Sequence, residues 1–313
     1  YKVPEQSQKS VALSSAYVAN AHGADASYWN PANMVFETGN GSVEADLGYI
    51  HLSSVNFDGT VAPSTTSAST SSKKENFLIP TFYYVSPAVN DFRFGLSLVS
   101  PFGLSKKWED QPGKATAEEF TLITYEVNPT VAYKINDKLA IGAGLRMLYS
   151  KGTVKSDAGA PTELTRDMTG DGLDFGYNLA ITYKPLKELI FAATYRSHVD
   201  MELEGDATLS NSAYAPLSIT AGSYSGPASL TAPAAATLSL AAVYTLNEKT
   251  TVEFVYDRVY WSKYKELNFE YQGDKSTISP LIVAKFDNPI AKNYADEDSY
   301  RLGITHKFDS VWT

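Results

Sequence analysis

The chain has 313 residues, with 26 basic against 35 acidic side chains, and its net charge of −9 contains no basic block, which argues against a nucleic-acid partner. It has no cysteine, so disulfides and thiolate chemistry are excluded, and no run reaches the roughly 18 apolar residues of a membrane-spanning helix. A membrane β-barrel remains compatible, because alternate residues that face a polar lumen keep the overall hydropathy modest.

Taken from the N-terminus, no secretory leader is visible, and residues 1–41 are too polar and broken to read as strands. They hold "DASYWNPANM" (25–34), in which Asn30 before Pro31 favours an extended or turn backbone and Pro31 fixes φ. Tyr17, Tyr28, Trp29 and Met34 are poor residues to leave in solvent, so the segment reads as a folded plug rather than a free tail.

From Ser42 the chain reads as strands. Period-2 alternation places Phe92, Phe94, Leu96 and Leu98 on one face, then Leu139, Ile141, Ala143, Leu145, Met147 and Tyr149, then Leu173 to Tyr183 at the odd positions. The stretch 189–204 reads the same way, with Leu189, Phe191, Ala193, Tyr195, Val199, Met201 and Leu203 opposite Thr194, Arg196, His198, Asp200, Glu202 and Glu204. Tyr300, Leu302, Ile304 and Phe308 complete the series.

The connections alternate in length. Short turns at 84–91, 133–138, 183–188, 244–249 and 306–310 follow aromatic residues, whereas 53–75, 104–117, 155–171, 205–233 and 263–296 read as long polar loops. Short turns on one side, long loops on the other and Tyr at strand ends describe an outer-membrane barrel with aromatic girdles. Five hairpins, or ten strands, can be counted before "SVWT".

Chemistry is thin elsewhere. Four scattered histidines form no HExxH, and there is no GxSxG elbow or GxxxxGK[ST] loop, so enzyme and ATP-driven readings lack residues and no cofactor is expected. "DMTGDG" (167–172) mimics part of a calcium loop through Asp167, Thr169, Asp171 and Gly172, but Asn178 stands where the closing Glu belongs, so no metal is expected.

Several motifs in order along the chain resemble the FadL-type outer-membrane transporters of long-chain fatty acids and hydrocarbons: Glu5-Gln6-Ser7, Ala16-Tyr17, Ala24-Asp25-Ala26, Asn30-Pro31-Ala32, "SPFGL" (100–104) with Trp108, "LTAPA" (230–234), "YWSKYKEL" (260–267) and "YRLGITHKF" (300–308). The resemblance implies an all-β fold, a transmembrane antiparallel β-barrel of 14 strands with an N-terminal hatch. That assigns 1–41 to the hatch, with Asn30, Pro31 and Ala32 as its turn motif, and 42–313 to a barrel lacking about four strands. It also implies capture of a hydrophobic small molecule at outer loops, transfer to an internal pocket, and lateral exit beside a distorted third strand. Here that strand is "FRFGLSLVSPFGL", with Ser100, Pro101, Phe102 and Gly103 as the gate; Pro101 lacks an N–H and Gly103 weakens a ladder.

For capture, the loop 211–234 offers Tyr214, Leu217, Ile219 and Tyr224 as an apolar surface, and for a carboxylate Lys151, Lys155 and Lys265 are the candidate cations. The expected partners are a fatty acid or hydrocarbon and the outer-membrane lipid and lipopolysaccharide, for a monomeric protein in the bacterial outer membrane. A general diffusion porin is the alternative, with Arg196, Asp200 and Glu202 as its charged lumen. A soluble lipid-binding barrel and an outer-membrane enzyme are further readings, the latter without a catalytic constellation.

Overall fold

The computed structural model describes residues 2–60 and 67–308. Its strands are β1 (Ser42–Leu52), β2 (Asn56–Thr60), β3 (Ser67–Ser71), β4 (Glu75–Val85), β5 (Phe92–Val99), β6 (Gly103–Lys107), β7 (Glu119–Asn136), β8 (Leu139–Asp157) and β9 (Thr165–Tyr183). There follow β10 (Leu189–Arg196), β11 (Val199–Asn211), β12 (Gly222–Ala234), β13 (Thr237–Asn247), β14 (Thr250–Val259), β15 (Glu266–Tyr271), β16 (Ile290–Ala291) and β17 (Glu297–His306).

Fifteen strands form one antiparallel sheet whose main path runs β1-β4-β5-β7-β8-β9-β10-β13-β14-β17, ten strands as the hairpin count expects. Strands β6, β11, β12, β15 and β16 extend this wall on the loop side, and β2-β3 is a separate hairpin. Among the described residues no ladder joins β1 to β17, so the wall is open along that seam. Part of the last expected turn, 306–310, and "SVWT" lie outside the described residues.

Alternation decides the two faces. On β8 and β9, Ile141, Leu145, Tyr149, Leu173, Phe175, Tyr177, Leu179, Ile181 and Tyr183 are all exposed, while the residues between them turn inward. An exposed apolar face of this extent is a lipid-facing surface rather than a soluble one. Tyr133 and Tyr125 on β7 stand eight residues apart, about 27 Å of strand at ~3.4 Å per residue, which tilt shortens toward the height of an apolar membrane band. Leu145→Arg on this face is expected to destabilise the barrel by about 2–4 kcal/mol at mid-depth, measured by urea unfolding in lipid vesicles; an unchanged midpoint would argue against lipid contact there.

Residues 2–41 lie against the inner face. Ser7 caps a short helix, Gln8–Ala12, in a reciprocal box with Ser10, and Pro31 opens a 3-10 turn, Pro31–Phe36, directly after helix Ala26–Trp29. Small inward residues of the wall make room. A Cβ on Gly142 would fall 2.6 Å from the Ala32 nitrogen, and one on Gly95 2.6 Å from Met34 Sδ. The largest buried cluster sits on the loop side of this segment, built from Leu148, Met168, Met201, Leu203, Leu209, Tyr224, Leu230, Phe269 and their neighbours.

Two wall strands bend where the register slips. Val99 pairs with Glu126 but Gly103 pairs with Ile123, so residues 100–102 oppose only 124–125. Likewise Arg196 pairs with Asn178 and Glu204 with Asp171, so 197–203 oppose only 172–177. One extra residue moves following side chains to the other face. This corrects the single-face reading of 189–204: Phe191 is exposed outward, yet Val199, Met201 and Leu203 are buried inside, and Asp200 and Glu202 are exposed.

Candidate functional site

The first of these slips coincides with a gap in the wall. The β4-β5 ladder ends at Phe82 opposite Leu98, leaving Glu75 to Thr81 without a ladder partner on that side among the described residues. On the loop side the rims rejoin: the Lys73 N–H donates to Lys107 O at 2.8 Å, Ser72 bridges Trp108, and the Ser105 hydroxyl donates to the Glu75 carboxylate. The result is a window between 76–81 and 99–104. A proline stands on each rim, Pro80 and Pro101, and neither can offer an N–H to close it.

Every peptide group of the bulge is satisfied without the missing ladder, as buried backbone requires. Gln6 reads Ser100 on both sides, donating from Nε2 to its carbonyl at 3.0 Å and accepting its N–H on Oε1 at 3.2 Å. The Val3 N–H donates to Pro101 O at 2.8 Å. Thr124 Oγ1 accepts the Phe102 N–H at 3.1 Å and donates to its carbonyl at 2.7 Å. The Tyr83 hydroxyl donates to Gln6 O, which holds the N-terminal segment in place.

A cavity of about 550 Å³ occupies the window. Its lining includes interior residues, Phe102 and Leu122, and outward residues, Leu78, Ile123 and Tyr125. The cavity therefore borders both the buried interior and the lipid-facing surface.

The expected turn motif is buried throughout: Asn30, Pro31 and Ala32 have essentially no exposure. Asn30 Nδ2 donates to Val18 O at 3.1 Å and to Thr182 Oγ1 on β9 at 2.9 Å, and Thr182 donates in turn to Asn33 Oδ1 at 2.7 Å. The Glu253 carboxylate on β14 accepts the Val18 and Ala19 N–H groups at 2.7 and 2.6 Å. Lys9 joins Asp25 at 3.2 Å to Glu44 on β1 at 2.9 Å; burial pushes the Asp25 carboxyl up, with Lys9 pulling the other way. Asn30 therefore bonds both the backbone of its own segment and the wall.

Beside the bulge, the buried carboxylate of Glu126 is shared by two arginines. Arg146 donates to Oε2 from Nε at 2.9 Å and from a terminal nitrogen at 2.8 Å, and Arg196 donates to Oε1 at 3.1 Å. Arg146 also holds Ser197 O, at the second slip, at 2.6 Å. Arg196 donates to Tyr28 O and stacks 3.8 Å from that ring's centroid, so the cluster binds the N-terminal segment as well.

Several expected site residues lie elsewhere. Lys151 and Lys265 are exposed, and Lys155 on the outer side of β8 pairs with Asp167 at 2.8 Å, so none borders the apolar interior. Of the expected capture surface, only Leu217 is strongly exposed; Ile219 and Tyr224 are buried in the core, Tyr224 edge-on to Tyr271, and Tyr214 is partly buried against the same cluster. Outward-facing Asp200 and Glu202 leave Arg196 alone of the expected porin charges inside, and Glu126 already engages it. The calcium-like stretch 167–172 is regular β9 strand.

Sequence reasoning missed an interior cation. Arg166 on β9 is 8 % exposed within the large cluster, 4.8 Å from the Phe269 centroid and 4.9 Å from that of Phe286. Among the described residues no carboxylate lies within 4 Å of it, and its Nε has no hydrogen-bond partner. The buried hydroxyl of Tyr271 lies beside it, within reach of the guanidinium. A signal was available: Arg166 shares the inward parity of Met168.

An antiparallel wall with an apolar exterior, a filled interior and a gap at a bulged strand marks an outer-membrane protein of the β-barrel class, its wall open between β1 and β17 among the described residues. The chain belongs to the outer membrane protein transport protein family (OMPP1/FadL/TodX), whose sequence model matches residues 1–313. It is 25% identical over 300 residues to the long-chain fatty acid transport protein of Escherichia coli (strain K12), covering 83% of this chain and 64% of that one. It is 24% identical over 267 residues to outer membrane protein P1 of Haemophilus influenzae, covering 75% and 55%. The chain thus spans less than two thirds of the length of these relatives. Among solved structures, a Pseudomonas aeruginosa FadL homologue matches with a TM-score of 0.77 at 19% identity over 99% of this chain and 78% of that one. The Ralstonia pickettii toluene transporter TbuX matches at 0.70 and 18%, over 96% and 82%. These two likenesses carry the fold.

Proposed function

We propose that this protein takes up hydrophobic small molecules across the outer membrane and releases them sideways through the window between β4 and the bulged third strand, with residues 1–41 as the plug. The observation that carries the reading is the cavity at 76–81 and 99–104, which borders interior and lipid-facing residues at once. An apolar solute gains about 0.8 kcal/mol per methylene on leaving water, so it partitions into such a cavity and onward into lipid without an energy source. The N-terminal segment 3–6, at Pro101 and Ser100, is the part that must yield for passage, and its anchors are a few hydrogen bonds rather than a ladder.

Within this reading Arg166 is the interior anchor for a ligand carboxylate, and long-chain carboxylates are the cargo. A buried guanidinium without a carboxylate is costly, and an anionic headgroup would relieve it. An open, charged diffusion pore finds less support, because the N-terminal segment and the apolar cluster fill the space within the wall.

Deleting Pro101 tests the window. With one residue fewer, 100–102 can run in register with 124–125 and close the wall. Uptake of radiolabelled oleate by cells carrying the variant is expected to fall at least tenfold, with normal barrel assembly on a heat-modifiability gel. Undiminished uptake by an assembled variant would remove lateral release.

A further inference from the structure

The window cavity is mostly apolar; Lys106 is the one Lys or Arg in its lining, which also includes His51. Ile50, Leu52, Phe77, Ile79, Phe102 and Leu122 form most of its wall, and Lys106 stands among the lining residues toward the loop side. Lys106 is half-buried, its ammonium donates to Ser72 Oγ at 3.1 Å, and among the described residues no carboxylate lies within 4 Å of it. Its neighbours are otherwise engaged: Lys107 pairs with Glu119 at 2.9 Å, Lys73 with Glu109 at 2.5 Å, and Glu75 is turned to Ser105.

We infer that the window is itself a binding site for an anionic amphiphile, with Lys106 holding a carboxylate at the loop-side rim and the alkyl chain lying in the apolar trough toward Phe102. The chemistry matches part by part. An ammonium on a flexible stem, facing a neutral hydroxyl rather than a carboxylate, is open to an incoming anion, and Ser72 and Ser105 supply polar neighbours at the same rim. Below them no charged group interrupts an apolar lining, and a volume of about 550 Å³ lies in the range of roughly 300–1,000 Å³ typical of small-molecule sites. A neutral hydrocarbon uses only the trough. Lys106 therefore discriminates carboxylates from hydrocarbons at the point of release, and it fixes which end of the molecule lies toward the loops.

This inference rests on the proposed lateral release, and the test separates the two. The probes are a C16 carboxylate carrying a diazirine at the end far from the carboxyl, and its methyl ester. Each is photolysed with the full-length protein in amphipol, and the labelled peptides are mapped by mass spectrometry. The carboxylate is expected to label window residues such as Ile79, Phe102 and Tyr125. Lys106→Gln should lower that labelling at least fivefold, Lys106→Arg should restore it, and labelling of Phe269 and Phe286 in the interior should not change. The methyl ester should label parent and variant alike. Equal window labelling of parent and Lys106→Gln by the carboxylate, or an equal fall for the ester, would overturn the role of Lys106 and leave lateral release standing. No window labelling by either probe in the parent protein would overturn both.

Discussion

Glu126→Ala is expected to destabilise the barrel by about 3–5 kcal/mol, the range for leaving buried charge uncompensated. Two guanidinium groups, Arg146 and Arg196, then lose the one carboxylate they share. The position of the cluster makes the loss more than local: Glu126 sits opposite Val99 at the foot of the first bulge, Arg146 holds the carbonyl of Ser197 at the second, and Arg196 holds Tyr28. The N-terminal segment should loosen before the barrel unfolds, so protease should cut near residues 20–40 in folded Glu126→Ala and not in the parent. Replacing all three charges at once with Met, Met and Leu should recover much of the stability, because a buried ion cluster costs desolvation that apolar packing does not. If the single variant unfolds at the parent's urea midpoint, the cluster carries little of the stability assigned to it.

The wall was legible because lipid selects its outer face strictly. Phe175, Leu179 and Ile181 alternate with small or polar inward residues, and the alternation combines with short turns on one side and long loops on the other. Where lipid ends, the signal ends. Residues 205–211 and 165–171 read as loop yet belong to β11 and β9: Met168, Ala207 and Leu209 alternate into the interior cluster, but the Gly, Asp, Thr and Ser residues between them carry the composition of a loop. The slips at 100–102 and 197–203 were half visible. Pro101 announced a break, but Ser197-His198 contains neither Gly nor Pro, and only the partner strand's register exposes the extra residue. Pro80, the opposite rim of the window, reads in sequence as one residue of an ordinary strand. The run of small inward residues at Ala140, Gly142 and Gly144 was an available sign that something packs closely against the wall, and Pro31 and Ala32 lie there.

The lysines expected to meet a carboxylate were chosen for their place at strand ends, where water and opposite charges are near, and two of the three stay exposed. Arg166 differs in that burial has removed both. Its stacking on Phe269 and Phe286 accounts for part of the cost of a buried cation, at about 0.5–2 kcal/mol per ring. The Nε still has no acceptor, and the neighbouring Tyr271 hydroxyl gives the guanidinium a neutral neighbour rather than a carboxylate. Arg166→Met should therefore act in opposite directions on two measurements. Thermal unfolding of the unliganded protein should be unchanged or shift upward, since an unsatisfied charge gives way to an apolar side chain in an apolar cluster. Affinity for oleate should fall roughly 10- to 100-fold, the equivalent of a charge-assisted hydrogen bond worth about 1.5–3 kcal/mol, while methyl oleate binds with its parent affinity. A purely structural arginine would lose stability and bind both ligands less well because the cluster around it loosens. A fall in oleate affinity without a fall in stability separates a ligand anchor from a packing residue, and equal loss for acid and ester would return the cargo to neutral hydrocarbons.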